Sequence, residues 1–397
     1  MPPSSVRIGE EELHEDRFSR FRLIPWWDQG KLQAARVLVI GAGALGNEIL
    51  KNLALLGFER IVVVDLDRIE ESNLSRTILF SREDVGLFKA EAAARSFKKI
   101  APQARVRPLV ANVVQHCGLG LFRWSDLMIA GLDNREARLW INRCAWKMNR
   151  PWIDGAIEGI NGVARAFVAG QAPCYECTLG ETDWKLLEQR MSCNLLLRAR
   201  NTEGKVATTP TISSIIAGIE VQEAVKLLHG MPTLAGSGFV FEGLNHSSYR
   251  VEYTASPDCM SHFTFAEVVE VPQTASELTL EQLRQRGARD LGADDAVVEF
   301  SRDVVQELEC PACGTREERF VPVGSIGYDE GRCPKDGEMR VVKIIHSYTG
   351  RESFGQRPLD KLGLPLYDVF SIRTDQEERA YLIGGDKVAV LGAELSN

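Results

Sequence analysis

The sequence predicts an α/β fold: a Rossmann-like, doubly wound, mostly parallel sheet followed by a smaller β-rich C-terminal domain. Three observations predict it. Arg36-Val37-Leu38-Val39-Ile40-Gly41 and Ile61-Val62-Val63-Val64-Asp65 are continuous apolar runs, as strands buried on both faces require. Between them lie a glycine-rich turn, Gly41-Ala42-Gly43-Ala44-Leu45-Gly46, and an apolar-periodic helix through about Gly57. Strand-like and helix-like segments then keep alternating until about residue 170, the pattern of a parallel sheet built from βαβ units.

In chain order, residues 12–35 read as a charged helical lead-in carrying Arg17, Arg20 and Arg22 near Trp26-Trp27. After the βαβ opening, Asp84 to Ile100 reads as a helix ended by Pro102. Val106–Val110 and Asp126–Gly131 read as strands, Glu136–Met148 as a helix, and Trp152-Ile153-Asp154 as the next strand. Residues 159–170 continue with shorter strands, and 181–209 form a polar, arginine-bearing excursion. Thr209 as N-cap, Pro210 in the first turn and Gly230 as terminator delimit a long apolar helix. The first domain, 1–265, closes after Ser256-Pro257-Asp258. In the second, 270–397, Thr279-Leu280-Glu281-Gln282 is a capping box, and strands are predicted near 296–301, 339–346 and 379–383.

Composition narrows the function. The chain of 397 residues holds 47 basic and 55 acidic side chains, a net charge of −8, which argues against a nucleic-acid groove. No secretory signal and no apolar run of about 18 to 20 residues is present, so no membrane partner and a cytoplasmic location are expected. Nine cysteines, four of them in the pairs Cys174/Cys177 and Cys310/Cys313, fit metal ligation sooner than disulfides in that setting.

In the G-x-G-x-x-G turn, Gly41, Gly43 and Gly46 allow close phosphate approach at a helix N-terminus, and Asp65, 19 residues past Gly46, can accept from ribose hydroxyls. That much fits a nicotinamide-dependent dehydrogenase equally well. The following residues change the balance: Asp65, Asp67, Asn73 and Arg76 crowd the end of the second strand, Lys89 opens a helix, and Asp133 ends a later strand. Cations for phosphates and a hard oxygen ligand for Mg²⁺ are what a triphosphate needs. A dehydrogenase needs none of them there, and a non-catalytic zinc-bearing scaffold would not need Arg20, Arg76, Lys89 and Asp133 together.

With these residues the chain resembles the ubiquitin-activating and ThiF/MoeB adenylating superfamily over about Arg17 to His262. In compact form it is most similar to a bacterial ubiquitin-like-protein-activating enzyme. The resemblance implies ATP and Mg²⁺ as cofactors and C-terminal adenylation of a carrier protein ending in glycine. Arg17-Phe18-Ser19-Arg20 resembles the family's R-Y-x-R, so Arg20 would reach the nucleotide of a neighbouring subunit in a homodimer. Asp65 resembles the ribose ligand, Asn73, Arg76 and Lys89 the triphosphate contacts, and Asp133 the magnesium-linked aspartate. Thr77 stands where the family often has glutamine.

The resemblance also implies a thioester on Cys193, ahead of Thr208-Thr209-Pro210-Thr211, and transfer to a ubiquitin-conjugating-like enzyme. Arg190, Arg198 and Arg200 nearby would favour the thiolate. The alternative is adenylation of a small sulfur carrier without an enzyme thioester. Cys174 and Cys177 with Cys259 and His262 make a closed Cys₃His zinc site, where the family usually has four cysteines. Cys310, Cys313, Cys333 and Asp336 form two ribbon-like knuckles, a second zinc candidate with Asp336 in the fourth place and His346 as a substitute. The second domain is expected to recruit the conjugating enzyme.

Overall fold

The computed structural model of the protein describes residues 15–191 and 207–396. Strands β1 (Arg36–Ile40), β2 (Arg60–Val64), β3 (Arg105–Leu109), β4 (Leu127–Ala130) and β5 (Trp152–Glu158) pair in parallel. β6 (Asn161–Phe167), β7 (Ser237–Glu242) and β8 (Ser247–Glu252) extend the sheet antiparallel. The spatial order is β3-β2-β1-β4-β5-β6-β7-β8. The chain therefore reverses direction across the sheet between β1 and β4, and ligands of such sheets bind in the crevice at that point.

The period of two in each strand divides the core. Val37, Val39, Ile61 and Val63 enter one cluster, with α2 (Ala44–Leu56), α3 (Lys89–Ile100) and α8 (Pro210–Leu228). Leu38, Ile40, Val62 and Val64 enter the other, with α4 (Val113–His116), α5 (Leu119–Trp124) and α6 (Arg135–Lys147).

Two helical expectations need correction. Among its described residues, 15–35, the lead-in holds only a 3₁₀ turn at Phe21–Leu23 and the short α1 (Gln29–Ala34). It is held instead by Arg17, whose guanidinium donates to the carbonyls of Ile100 (2.5 Å) and Ala54 (2.7 Å) at the C-terminal ends of α3 and α2. The helix expected from Asp84 is broken in two. Arg82–Asp84 is a separate 3₁₀ turn capped by Ser81, Gly86 takes φ +89°, and α3 starts at Lys89. The polar excursion opens with α7 (Glu181–Met191).

The second sheet begins with β9 (Val268–Val271) and continues through β10 (Val297–Glu309), β11 (Arg316–Pro322), β12 (Val341–Tyr348), β13 (Val369–Arg373) and β14 (Glu378–Ile383). Its order is β11-β10-β13-β14-β9, with β12 also on β10. β9, β11 and β13 carry no expected counterpart. β10 is longer than expected because charged residues interrupt its apolar face. One face packs on α9 (Leu280–Leu291). The other meets α5, where Val369, Ala380 and Leu382 share a cluster with Leu119 and Phe122. Among the described residues no helix is long and apolar enough to cross a membrane.

Candidate functional site

The ends of β1, β2 and β4 are tied together: the Gly41 N–H donates to Val64 O (2.8 Å) and the Gly131 N–H to Ile40 O (2.9 Å). Gly41 takes φ +92°, and a β-carbon there would lie 2.5 Å from Gly131 O. One at Gly46 would lie 1.9 Å from Gly41 O. These two glycines are demanded by packing. Gly43, the N-cap of α2, faces nothing within 4 Å, so the open space lies over it, at the exposed N–H groups of the first helical turn.

Asp65 closes this turn. Its Oδ2 accepts from the Ala42 N–H (2.7 Å) and its Oδ1 from the Asp67 N–H (2.8 Å). Burial raises its pKa, and the charge of Lys89 acts against that rise. Lys89 is the first residue of α3; its Nζ lies 2.9 Å from Asp67 Oδ2, with the side chain only 13% exposed. Asn73 is buried and spends its Oδ1 on the Glu70 N–H (2.9 Å), closing a 3₁₀ turn. Arg76 is anchored through the Ser72 carbonyl (2.8 Å). Asp133 stands exposed on the loop after β4, beside Asn134, which caps α6. Asp65, Asp67 and Lys89 thus stand beside the glycine turn, and the loop that carries Asp133 leaves β4 against the same turn at Gly131.

Arg20 does not join them. It is 82% exposed and lies 3.4 Å from Glu15. Its neighbour Phe18 packs against Gly57 beyond the C-terminus of α2, about 20 Å of helix away from the glycine turn. Cys193 lies outside the described residues. The chain re-enters at Ala207, whose carbonyl accepts from Gly159 N (2.7 Å), before Thr209 caps α8.

Two features escape sequence reasoning. Asn47, fully buried, donates from Nδ2 to Ala42 O (2.8 Å) and accepts from Leu79 N (2.8 Å), linking the glycine turn to the segment after Arg76. The invisible signal was a polar residue in an apolar helix face. Beneath the Asp133 loop, Arg138 donates to Asp154 Oδ1 (2.7 Å), Gly155 O (2.9 Å) and Leu132 O, while Arg165 takes the other oxygen of Asp154 (3.0 Å). Glu220 is buried nearby without a hydrogen-bond partner among the described residues.

Both cysteine clusters assemble. Cys174 Sγ lies 3.8 Å from Cys177 Sγ and 3.5 Å from Cys259 Sγ, and Cys177 Sγ lies 3.4 Å from His262 Nε2. Tetrahedral zinc with bonds of about 2.3 Å to sulfur and 2.0 Å to nitrogen sets edges of about 3.8 and 3.5 Å, so the donor set fits zinc. The His262 ring stacks on Trp146 at 4.4 Å, and Arg143 with Glu176 (3.0 Å) and Ser261 brace the knuckle. In the second cluster Cys310 Sγ lies 3.4 Å from Asp336 Oδ2 and Cys313 Sγ 3.6 Å from Cys333 Sγ. His346 is on β12 and is not part of the gathered four. Cys117 and Cys144 are buried, with thiols pushed up to about 12 by burial, and are unreactive at neutral pH.

The sequence profile described as ThiF family matches residues 16–261, the span that holds the glycine turn, the Asp133 loop and the three cysteines of the Cys174 cluster. The chain belongs to the ThiF family. This ThiF-family chain is 43% identical over 157 residues to a Nedd8-activating enzyme E1 catalytic subunit of Drosophila melanogaster, covering 36% of this chain and 35% of that protein. It is 38% identical over 157 residues to the SUMO-activating enzyme subunit uba-2 of Caenorhabditis elegans, covering 39% and 27%. It therefore spans about a third of the length of these curated relatives. In fold it matches the crystal structure of Escherichia coli MccB with AMPCPP and MccA, at TM-score 0.52 and 23% identity, over 64% of this chain and 76% of that one.

Proposed function

We propose that the chain activates a ubiquitin-like protein in two steps. The carrier's C-terminal glycine carboxylate attacks the α-phosphorus of Mg²⁺-ATP, pyrophosphate leaves, and an acyl adenylate forms. The Cys193 thiolate then attacks the acyl carbon, AMP leaves with the bonding electron pair, and a thioester forms for delivery to a conjugating enzyme's cysteine. The observation that carries this reading is the gathering of Asp65, Asp67 and Lys89 beside the glycine turn, with the loop that carries Asp133 packed against the same turn through Gly131. Names of relatives that activate Nedd8 and SUMO support it.

In this reading the α2 N-terminus and Lys89 would stabilise charge building on the phosphates, and Asp133 would hold the magnesium that accompanies ATP. Asp65 would fix the ribose. The remoteness of Arg20 from its own chain's turn fits action on the nucleotide of a second copy, in a homodimer. Zinc held by Cys174, Cys177, Cys259 and His262 would supply structural closure and no chemistry, since all four positions are filled by protein.

The test uses purified protein, Mg²⁺-ATP and lysate small proteins. Asp133→Ala is expected to abolish pyrophosphate release. Cys193→Ala is expected to spare it and to lose an ATP-dependent, thiol-labile adduct seen by intact mass. Pyrophosphate release without any adduct on the wild type would favour activation of a sulfur carrier instead.

A further inference from the structure

The Cys310 and Cys333 segments have the same backbone design. Gly314 N donates to Cys310 O and Gly337 N to Cys333 O, each at 2.9 Å, and both glycines take a left-handed φ, +69° and +76°. Cys310 N donates to Thr315 O (2.9 Å) and Cys333 N to Glu338 O (2.8 Å). The two turns are thus duplicates, with Asp336 occupying in the second the place that Cys313 occupies in the first. All four ligand atoms lie within 4.8 Å of one another. The separations of 3.4–3.6 Å are close to the edges of a zinc tetrahedron with sulfur and oxygen donors, about 3.5–3.8 Å.

The surroundings offer the two turns little apolar support. The first turn ends the β10–β11 hairpin, and the second lies in the connection from β11 to β12. The apolar cluster beneath them has three buried residues, Val305, Leu308 and Ile326, too few to hold such a ribbon by burial alone. Protein contacts across the gap are polar, chiefly Arg340 to Glu317 (2.5 Å) and to the Glu330 carbonyl.

We propose that Cys310, Cys313, Cys333 and Asp336 bind zinc as a removable clasp that fastens the β10–β11 hairpin to the β11–β12 connection. It releases its metal before the Cys174 cluster does. Two observations set that order. Cys313 and Asp336 are exposed, whereas every ligand of the Cys174 cluster is at least partly buried. A carboxylate is also a harder, weaker zinc donor than the thiolate whose place it takes. The order of release, unlike the clasp itself, rests on the zinc proposed at the first cluster.

The experiment counts zinc per full-length chain by plasma mass spectrometry and follows its release to 4-(2-pyridylazo)resorcinol. Wild type is expected to carry two equivalents and release them in two phases. Cys313→Ser should lose one equivalent together with the fast phase, and Asp336→Cys should keep two equivalents while slowing that phase. Cys259→Ser should lose the slow phase only. Two equivalents retained in a Cys313→Ser/Asp336→Ala variant would overturn the clasp, and a fast phase unchanged by Asp336→Cys would overturn the order. A wild type with one equivalent that Cys259→Ser keeps and Cys313→Ser loses supports the clasp and removes the first zinc.

Discussion

Lys89 meets Asp67 twice: its Nζ lies 2.9 Å from the carboxylate, and its backbone N–H donates to the Asp67 carbonyl at 2.9 Å. The backbone bond fixes where α3 begins, and the ion pair holds the ammonium near Asp65, whose pKa its charge lowers against burial. Removing the side chain should leave the helix start intact and delete the cation. Lys89→Ala is expected to fold with little change in melting temperature and to slow pyrophosphate release by about 10²–10³. Stopped-time pyrophosphate assays at saturating ATP check this; an unchanged rate would remove Lys89 from the chemistry.

The glycine turn separates packing from binding. Gly46→Ala drives a methyl to 1.9 Å from Gly41 O, so a loss of about 3 kcal/mol or more is expected in urea unfolding. Gly43→Ala meets nothing within 4 Å and should match or slightly exceed wild-type stability. Its ATP affinity should nevertheless fall, as isothermal titration would read. Wild-type ATP binding by Gly43→Ala would place the nucleotide elsewhere.

Asn47 bridges two backbone groups that have no water to turn to. Asn47→Ala leaves the Ala42 carbonyl and the Leu79 N–H unpaired in the core, a cost of roughly 2–4 kcal/mol. Hydrogen exchange at Leu79 should accelerate beyond the global change. Unaltered exchange there would mean that the segment holds its place without the amide.

Glu220 sets a pH dependence. Burial, then the Asp154 carboxylate, raises its pKa well above the ordinary value, against the opposing pull of Arg138 and Arg165. The native state thus keeps a proton that the unfolded state sheds above its ordinary pKa. Its contribution to stability is greatest at low pH and falls as pH rises from about 4.5 toward the folded value, by up to about 1.4 kcal/mol per unit. Glu220→Gln should cancel that slope and gain on wild type with rising pH between 5 and 8. Parallel urea midpoints for the two proteins across that range would show that Glu220 does not titrate in this way.

The parallel half of the first sheet was legible because strands buried on both faces must be apolar throughout, and the helices between them carry a 3.6-residue period. The glycine turn was legible for the same local reason. Asn47, and the Arg138–Asp154–Arg165 group, were not: each is an ordinary polar residue until the fold brings a distant backbone group to it. β10 was half legible, since Arg302 stands in the face that Val298, Phe300 and Val304 bury and ends the apolar pattern there, although Val304, Val305 and Leu308 beyond it are fully buried. The lead-in misled because its charges bond to other helices' ends and contribute no period of their own.

The second sheet is fastened to the first unit at entry and at exit. Phe265 N donates to Lys147 O (3.2 Å) just before β9, and beyond β14 the Trp124 indole donates to Leu395 O (3.1 Å), with Leu391 and Leu395 buried beside it. Between these pins Asp368 accepts from Leu119 N (2.7 Å), and Arg302 donates to the Val114 and Cys117 carbonyls. A body pinned at both ends of its chain has no single hinge to turn on. Whatever docks on this sheet is therefore carried at a fixed bearing to the crevice.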